Sequence, residues 1–289
     1  MMNKANIIST LKELFLKSST VEFEKQVDSI ISQDENNITN KTDLYLKLLS
    51  FLDLTTLNDD DYLQSLKEIV TETITYYKGN KITVAGLCTF SNLLPIVNTL
   101  DLDNSIRKVV VSGGFPTGQI SLEAKLRDIS FAIENKADEI DVPINRGLFY
   151  ENPNELSSEI NKMKDTIVKT SNAKLKVIIE TGALKNYLDV YKVSQLAIKS
   201  GADFIKTSTG KISRGADLYS SIIMLIAIKE HFDLTSKKIG FKAAGGIRKA
   251  DDALKYYLLA RFVLGEEYLT KDTFRIGCSN LKRDIINKL

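Results

Sequence analysis

Short apolar runs rich in Val, Ile and Phe recur along the chain, separated by longer stretches in which apolar positions return every three or four residues. The runs SFLDLTTL, KITVAGLC, RKVVVSGGF, DEIDVPIN, KLKVIIETG, DFIKTSTG, KIGFKAAGG and TFRIGCSN read as strands. Stretches between them, such as SLEAKLRDISFAIENKA and NYLDVYKVSQLAIKSGA, carry the helical period. Strict alternation of strand and helix predicts a parallel sheet with right-handed crossovers. Eight units in about 240 residues predict an α/β fold closed into a (β/α)8 TIM barrel. ARFVLGE, around Val263, competes for the place of the eighth strand. Residues 1–40 lack any strand pattern and predict an N-terminal helical extension, two helices joined by the polar run SQDENNITNKTD. The extension is either an appendage packed on the barrel or an interaction arm, and the first is preferred. Residues 41–289 form the barrel domain.

Composition narrows the function. The chain of 289 residues is 43% hydrophobic and 26% charged, as soluble globular proteins are. Its 39 basic and 37 acidic residues are interspersed, so neither nucleic acid nor an anionic membrane is expected as a partner. No apolar run approaches the ~20 residues of a membrane span. The first helix carries charges among its apolar positions, unlike a signal peptide. Cys88 and Cys278 are too few for a disulfide framework, and a reducing cytoplasm is the expected compartment. The triplets at Asn37 and Asn40 match the glycosylation pattern but carry no meaning in a cytosolic chain. His231 is the single histidine, so a metal site built on several histidines is impossible within one chain. Proton traffic is left to Lys, Asp, Glu or water.

In such a barrel, active sites form at the C-terminal ends of the strands. That row offers Asp53, Cys88, Asp141, Lys206 and Lys242. Lysines on neighbouring strands, both pointing inward, would bring two amines to about 5 Å from each other. At an effective dielectric of about 20 they would repel by ~3 kcal/mol, and partial burial acts in the same direction. One amine is then expected to titrate low enough to act as a neutral nucleophile toward a carbonyl, forming a Schiff base. Asp141 and Asp53 could move protons, directly or through a water. Gly245 and Gly246 follow strand seven, and Gly277, Ser279 and Asn280 close strand eight. A phosphate site formed by those two loops recurs in these barrels. Lys211 could add charge.

At these residues the chain resembles the deoxyribose-phosphate aldolases, a family of Schiff-base (class I) aldolases. The matching segments are FLDLTTLNDDD, ADEIDVPINRG, LKVIIETGALK, SGADFIKTSTGK and GFKAAGGIRKADDALKY, within residues 51–280. The resemblance implies reversible cleavage of 2-deoxy-D-ribose 5-phosphate to D-glyceraldehyde 3-phosphate and acetaldehyde. It implies Lys206 as the Schiff-base lysine, Lys242 as the partner that depresses its pKa, Asp141 as proton relay and Asp53 in the same network. Gly210, Lys211, Gly245, Gly246, Arg248 and Ser279 match the family's phosphate-binding segments. Asn280, where some members have a second serine, can still donate to phosphate. The resemblance also implies no metal or organic cofactor, and a homodimer.

Two departures bear on mechanism. The sequence ends in INKL, without the C-terminal tyrosine that some members use in enamine protonation. Proton exchange is then expected to be slower, or served by a water held by Asp141. Residues 1–40 exceed the shorter members. Cys88 could be modified by reactive aldehydes if exposed, although a small core residue is the plainer reading. A transaldolase-like barrel enzyme and a catalytically silent sugar-phosphate sensor remain the competing readings.

Overall fold

A computed structural model describes residues 4–289. The chain opens with three helices, α1 (Lys4–Leu16), α2 (Thr20–Asn36) and α3 (Lys41–Leu49). The extension does hold two helices, but they meet at residues 17–19, not at the polar run. SQDEN lacks both Gly and Pro, so it continues α2 to its end. The remainder is a short loop in which the Asn40 side chain accepts from Asp43 N–H and caps α3. Leu11, Phe15, Phe23 and Val27, from α1 and α2, are buried in the same apolar core as the barrel helices.

The barrel strand β1 (Leu52–Thr55) is followed by α4 (Leu63–Thr71) and an antiparallel hairpin, β2 (Ile74–Tyr77) and β3 (Asn80–Thr83). Then come β4 (Gly86–Phe90), α5 (Leu94–Val97), β5 (Arg107–Val111), α6 (Leu122–Glu134) and β6 (Glu139–Pro143). The chain goes on through α7 (Arg146–Glu151), α8 (Pro153–Thr170), β7 (Lys174–Ile178), α9 (Tyr187–Lys199) and β8 (Phe204–Lys206). It closes with α10 (Leu218–Thr235), β9 (Gly240–Ala244), α11 (Ala250–Leu264), β10 (Phe274–Cys278) and α12 (Leu281–Ile286). The order β1-β4-β5-β6-β7-β8-β9-β10 closes on itself, and every neighbouring pair is parallel.

All eight expected strands are present, with two local differences. KITVAGLC merges two elements: its first residues belong to β3 and its end to β4. The apolar character runs unbroken through the bend at 84–85, where Val84 and Ala85 are buried, so periodicity alone could not separate them. Val263 lies on α11, whose buried positions include Ala253, Tyr257, Ala260 and Leu264. That i, i+3, i+4 spacing is helical, and ARFVLGE is the last turns of α11 rather than a strand.

Strand geometry decides which side chains face the barrel axis. Successive side chains alternate between faces. Leu52 and Leu54 join the large apolar cluster outside the barrel, so Asp53 between them points in. Gly86 is in register with Asp53, and a Cβ there would come 2.8 Å from Asp53 Oδ1. Glycine at that position is what leaves the carboxylate room. Lys206 and Lys242 are register partners on β8 and β9, and Asp141 and Lys176 on β6 and β7.

Candidate active site

Lys206 ends β8 and is 3% exposed; Lys242, one strand over, is 1% exposed. Both amines donate to the same atom, Asp141 Oδ2, at 2.9 Å and 2.8 Å. The two lysines therefore face inward together. Burial is the largest influence on Lys206 and pushes its pKa below the ordinary lysine value; Asp141 opposes this, and the Lys242 charge adds to the lowering. The expectation placed charge repulsion first and burial second. The order is the reverse, because the amine is almost completely removed from water. Burial also disfavours the charged form of Lys242, but Asp141 and Asp53 outweigh it and hold that pKa above the ordinary value.

Beneath the pair lies a layer of buried ions that reaches farther than the expected residues. Asp53 Oδ2 is 2.6 Å from Lys242 Nζ, and Asp53 Oδ1 is 2.5 Å from Arg275 Nη1. Lys176 Nζ contacts Asp141 Oδ1 at 3.1 Å, Asp53 Oδ2 at 3.5 Å and the Glu139 carboxylate. Arg275 Nη2 donates to Glu139 Oε1 at 2.6 Å. Asp53 thus ion-pairs with Lys242, Lys176 and Arg275, while Lys206 pairs with Asp141. Burial alone would raise the carboxyl pKa values, but Arg275, Lys242 and Lys176 hold Asp53 well below its usual range, and Lys176, Lys206 and Lys242 do the same for Asp141.

Three carboxylates, Asp53, Glu139 and Asp141, face four cationic groups, Lys176, Lys206, Lys242 and Arg275. The layer balances only when one amine is neutral, and Lys206 is the one whose surroundings favour that state. Sequence reading missed Lys176, Glu139 and Arg275. The signal was there: Glu139 lies two residues before Asp141, and Arg275 two before Gly277, so each shares the inward face of its strand.

The loops at this end place the other expected residues around one cavity of about 250 Å³. Gly210, Lys211, Gly245, Gly246, Arg248, Ser279 and Asn280 all line it, together with Lys206 and Lys242. Gly245 (φ +93°) and Gly246 (φ +82°) take backbone conformations that side chains resist. The N–H groups of Gly210 and Lys211 donate to Ser208 Oγ and Thr209 Oγ1, at 3.0 Å and 3.1 Å, so they are spent within their own turn. The Lys211 ammonium donates to Leu57 O at 2.6 Å.

Another unforeseen residue organises that turn. Glu180 is 3% exposed and sits in the left-handed region at φ +58°. Its Oε1 accepts from Ser208 Oγ at 2.6 Å and from Thr209 N–H at 3.1 Å, and its Oε2 accepts from Thr209 Oγ1 at 2.5 Å. A non-glycine residue held there stores strain of order 1 kcal/mol. No sequence signal marked it, because it reads as the polar end of strand KLKVIIETG.

Cys88 is fully buried, and burial raises its thiol pKa. With Leu57, Val109 and Val111 it forms a small apolar cluster on the inward face of β4 and β5. It is a core residue, as the plainer expectation had it. His231 lies on α10.

Fold and site together define a barrel enzyme with an amine pair at the C-terminal ends of its strands. Residues 94–260 match the model of the DeoC/LacD family aldolases. A deoxyribose-phosphate aldolase from Homo sapiens is 39% identical over 255 residues, covering 83% of this chain and 79% of its own length. A crystal structure from Toxoplasma gondii ME49, provisionally named a deoxyribose-phosphate aldolase, superposes with a TM-score of 0.74 at 20% identity, over 86% of this chain and 94% of that one. A tetrameric deoxyribose phosphate aldolase from Aeropyrum pernix gives 0.66 at 22% identity, over 90% and 96%. The chain belongs to the DeoC/LacD aldolase family, among the deoxyribose-phosphate aldolases.

Proposed function

We propose that the protein cleaves 2-deoxy-D-ribose 5-phosphate reversibly to D-glyceraldehyde 3-phosphate and acetaldehyde through an imine on Lys206. The observation that carries this reading is the pair of amines on Asp141 Oδ2, one driven toward its neutral form and the other held charged. The neutral Lys206 Nζ attacks the aldehyde carbon of the open-chain sugar. The carbinolamine loses water, with the departing oxygen protonated by a water or ammonium on Asp141, and an iminium results. The sugar's C3 hydroxyl then gives its proton to Asp141, through a water, and its oxygen becomes the carbonyl of the departing triose phosphate. The electrons of the C2–C3 bond move to the iminium and leave a neutral enamine.

Electrostatics favour that last step. The iminium is a fourth cation facing three carboxylates in a buried layer, so it is a strong electron sink. Bond cleavage discharges it. Protonation of the enamine at C2 and hydrolysis release acetaldehyde and restore the amine. Lys211, Arg248, Gly245, Gly246, Ser279 and Asn280 would hold the phosphate in the cavity, which Gly210 lines, with Asp53 keeping Lys242 charged.

Among the described residues no helix is long and apolar enough to cross a membrane. A cytoplasmic homodimer working in deoxyribonucleoside degradation completes the reading, and light scattering of the purified protein checks the assembly. The decisive experiment is borohydride reduction in the presence of acetaldehyde, followed by digestion and mass spectrometry. An adduct on Lys206 is expected. Its absence in a folded protein would falsify the imine mechanism, and turnover of deoxyribose 5-phosphate that yields no acetaldehyde would favour a transaldolase-like reaction instead.

A further inference from the structure

A second cavity, of about 310 Å³, opens behind the loops that follow β7 and β8, against the first turns of α2. It shares no lining residue with the lysine cavity. We propose that it binds a small anionic polyol, with hydroxyl groups of the ligand on Thr181 and Glu24 and its anionic group on Arg214 and Lys185.

Thr181, which lines this cavity, is 2% exposed, and its Oγ1 is buried without a hydrogen-bond partner. Buried hydroxyls are normally satisfied, so a ligand hydroxyl that completes this one gains affinity. Glu24 Oε1 accepts from Tyr187 OH at 2.6 Å, and an ionised carboxylate has capacity for further donors. The Arg214 side chain is 57% exposed and spends only a 3.4 Å contact on Asp217, leaving most of its fork open. Lys185 Nζ rests 4.1 Å from the centroid of the Tyr150 ring, which fixes its position at the rim. Among the residues that line the cavity two cations, Lys185 and Arg214, stand against one carboxylate, Glu24, with Asp217 outside the lining, which favours an anion, and the hydroxyl-directed groups favour a polyol over a simple ion.

The site touches the catalytic machinery through the backbone. Thr181 N–H donates to Thr207 O at 2.8 Å, one residue beyond Lys206. A Cβ on Gly182 would come 2.1 Å from Arg214 O, so the two loops are packed against each other there. Helix α2 closes the cavity with Thr20 and Glu24, which gives the N-terminal extension a role beyond packing.

Titration calorimetry of the full chain with glycerol 3-phosphate, which has no carbonyl to form an imine, reads the number of sites. Two are expected in the unaltered protein, one in the lysine cavity and the other in this one. Thr181→Val and Arg214→Gln should each weaken the other about tenfold. Thr181→Val is isosteric and Arg214 is solvent-facing, so both variants should fold, which circular dichroism verifies. Glycerate as competitor separates the sources of the anion: displacement at the Arg214-dependent site admits carboxylates, and no displacement restricts the site to phosphates. Sites that are all indifferent to both substitutions, or no binding at all, overturn the proposal, whereas a single site weakened by both would count against phosphate binding in the lysine cavity and not against this one.

Discussion

Lys206 and Lys242 end on one oxygen of Asp141, yet their surroundings drive them in opposite directions: Lys206 toward the neutral amine, Lys242 toward the ammonium. The difference lies in what each amine meets next. Lys242 has a second carboxylate, Asp53, at 2.6 Å, whereas Lys206 has Asp141 alone.

Replacing Lys242 with methionine removes a charge that keeps Lys206 low. The acid limb of the pH profile of kcat/KM should move to higher pH, because Lys206 then deprotonates later. Asp53 and Asp141 lose a buried partner, so a destabilisation of about 3 kcal/mol should accompany the shift. A profile that stays in place would show that Lys242 does not tune Lys206.

Lys206→Met should abolish turnover and stabilise the fold by about 1 kcal/mol. Burial lowers the amine's pKa in the folded protein below the 10.5 of the unfolded chain, so holding it charged costs stability at every pH below the folded pKa, and that cost fades as pH rises to 10.5. The methionine variant is free of this cost. Its advantage should be largest at low pH and shrink as pH rises toward 10.5, as read by urea unfolding across pH. A variant less stable than wild type at neutral pH would contradict the charge balance described for the layer.

Two substitutions beneath the site should shift the pH profile in opposite senses. Arg275→Met removes a cation, so Lys206 can stay protonated without unbalancing the layer, and the acid limb should rise. Glu139→Gln removes an anion, and the limb should fall. Both residues lie below the lysine pair, so equal shifts in one direction would point to general loosening of the barrel rather than electrostatics.

Glu180→Gln exchanges one acceptor oxygen for an amide that cannot accept from the Ser208–Thr209 turn. With the fold intact, kcat/KM for deoxyribose 5-phosphate should fall about tenfold. Thermal unfolding gives a second readout. Glu180→Gly releases the left-handed strain but loses the whole carboxylate, so its activity should fall further than that of the glutamine variant. Full activity in Glu180→Gly would mean that the turn holds itself.

The barrel was legible in the chain because its β/α units carry two periods, two residues in the strand and three to four in the helix, as α9 does with Val190, Val193 and Ala197 on its buried face. The lysine pair was legible because ammonium groups are anomalous at buried strand ends. Glu139, Lys176 and Arg275 were harder to see for the opposite reason: charged residues near the entry of a strand look like ordinary surface. Only the closure of β10 on β1 brings Arg275 to Asp53. The hairpin of β2 and β3 was hidden by apolar continuity into β4, and the break between α1 and α2 by a short link without glycine or proline.

The Asp53–Arg275 pair joins positions 222 residues apart. During synthesis, Lys206, Lys242 and Asp141 all emerge before the guanidinium that completes the layer. Until β10 arrives, β1 and β9 each keep an unpaired edge, and Asp53 lacks its strongest counter-ion. Assembly of the ion layer around Lys206 is therefore tied to the last strand of the barrel, and a chain interrupted before Phe274 holds that amine in an unclosed, unbalanced sheet. Closure of β10 between β9 and β1, rather than the making of Lys206, is the event that completes this layer of charge.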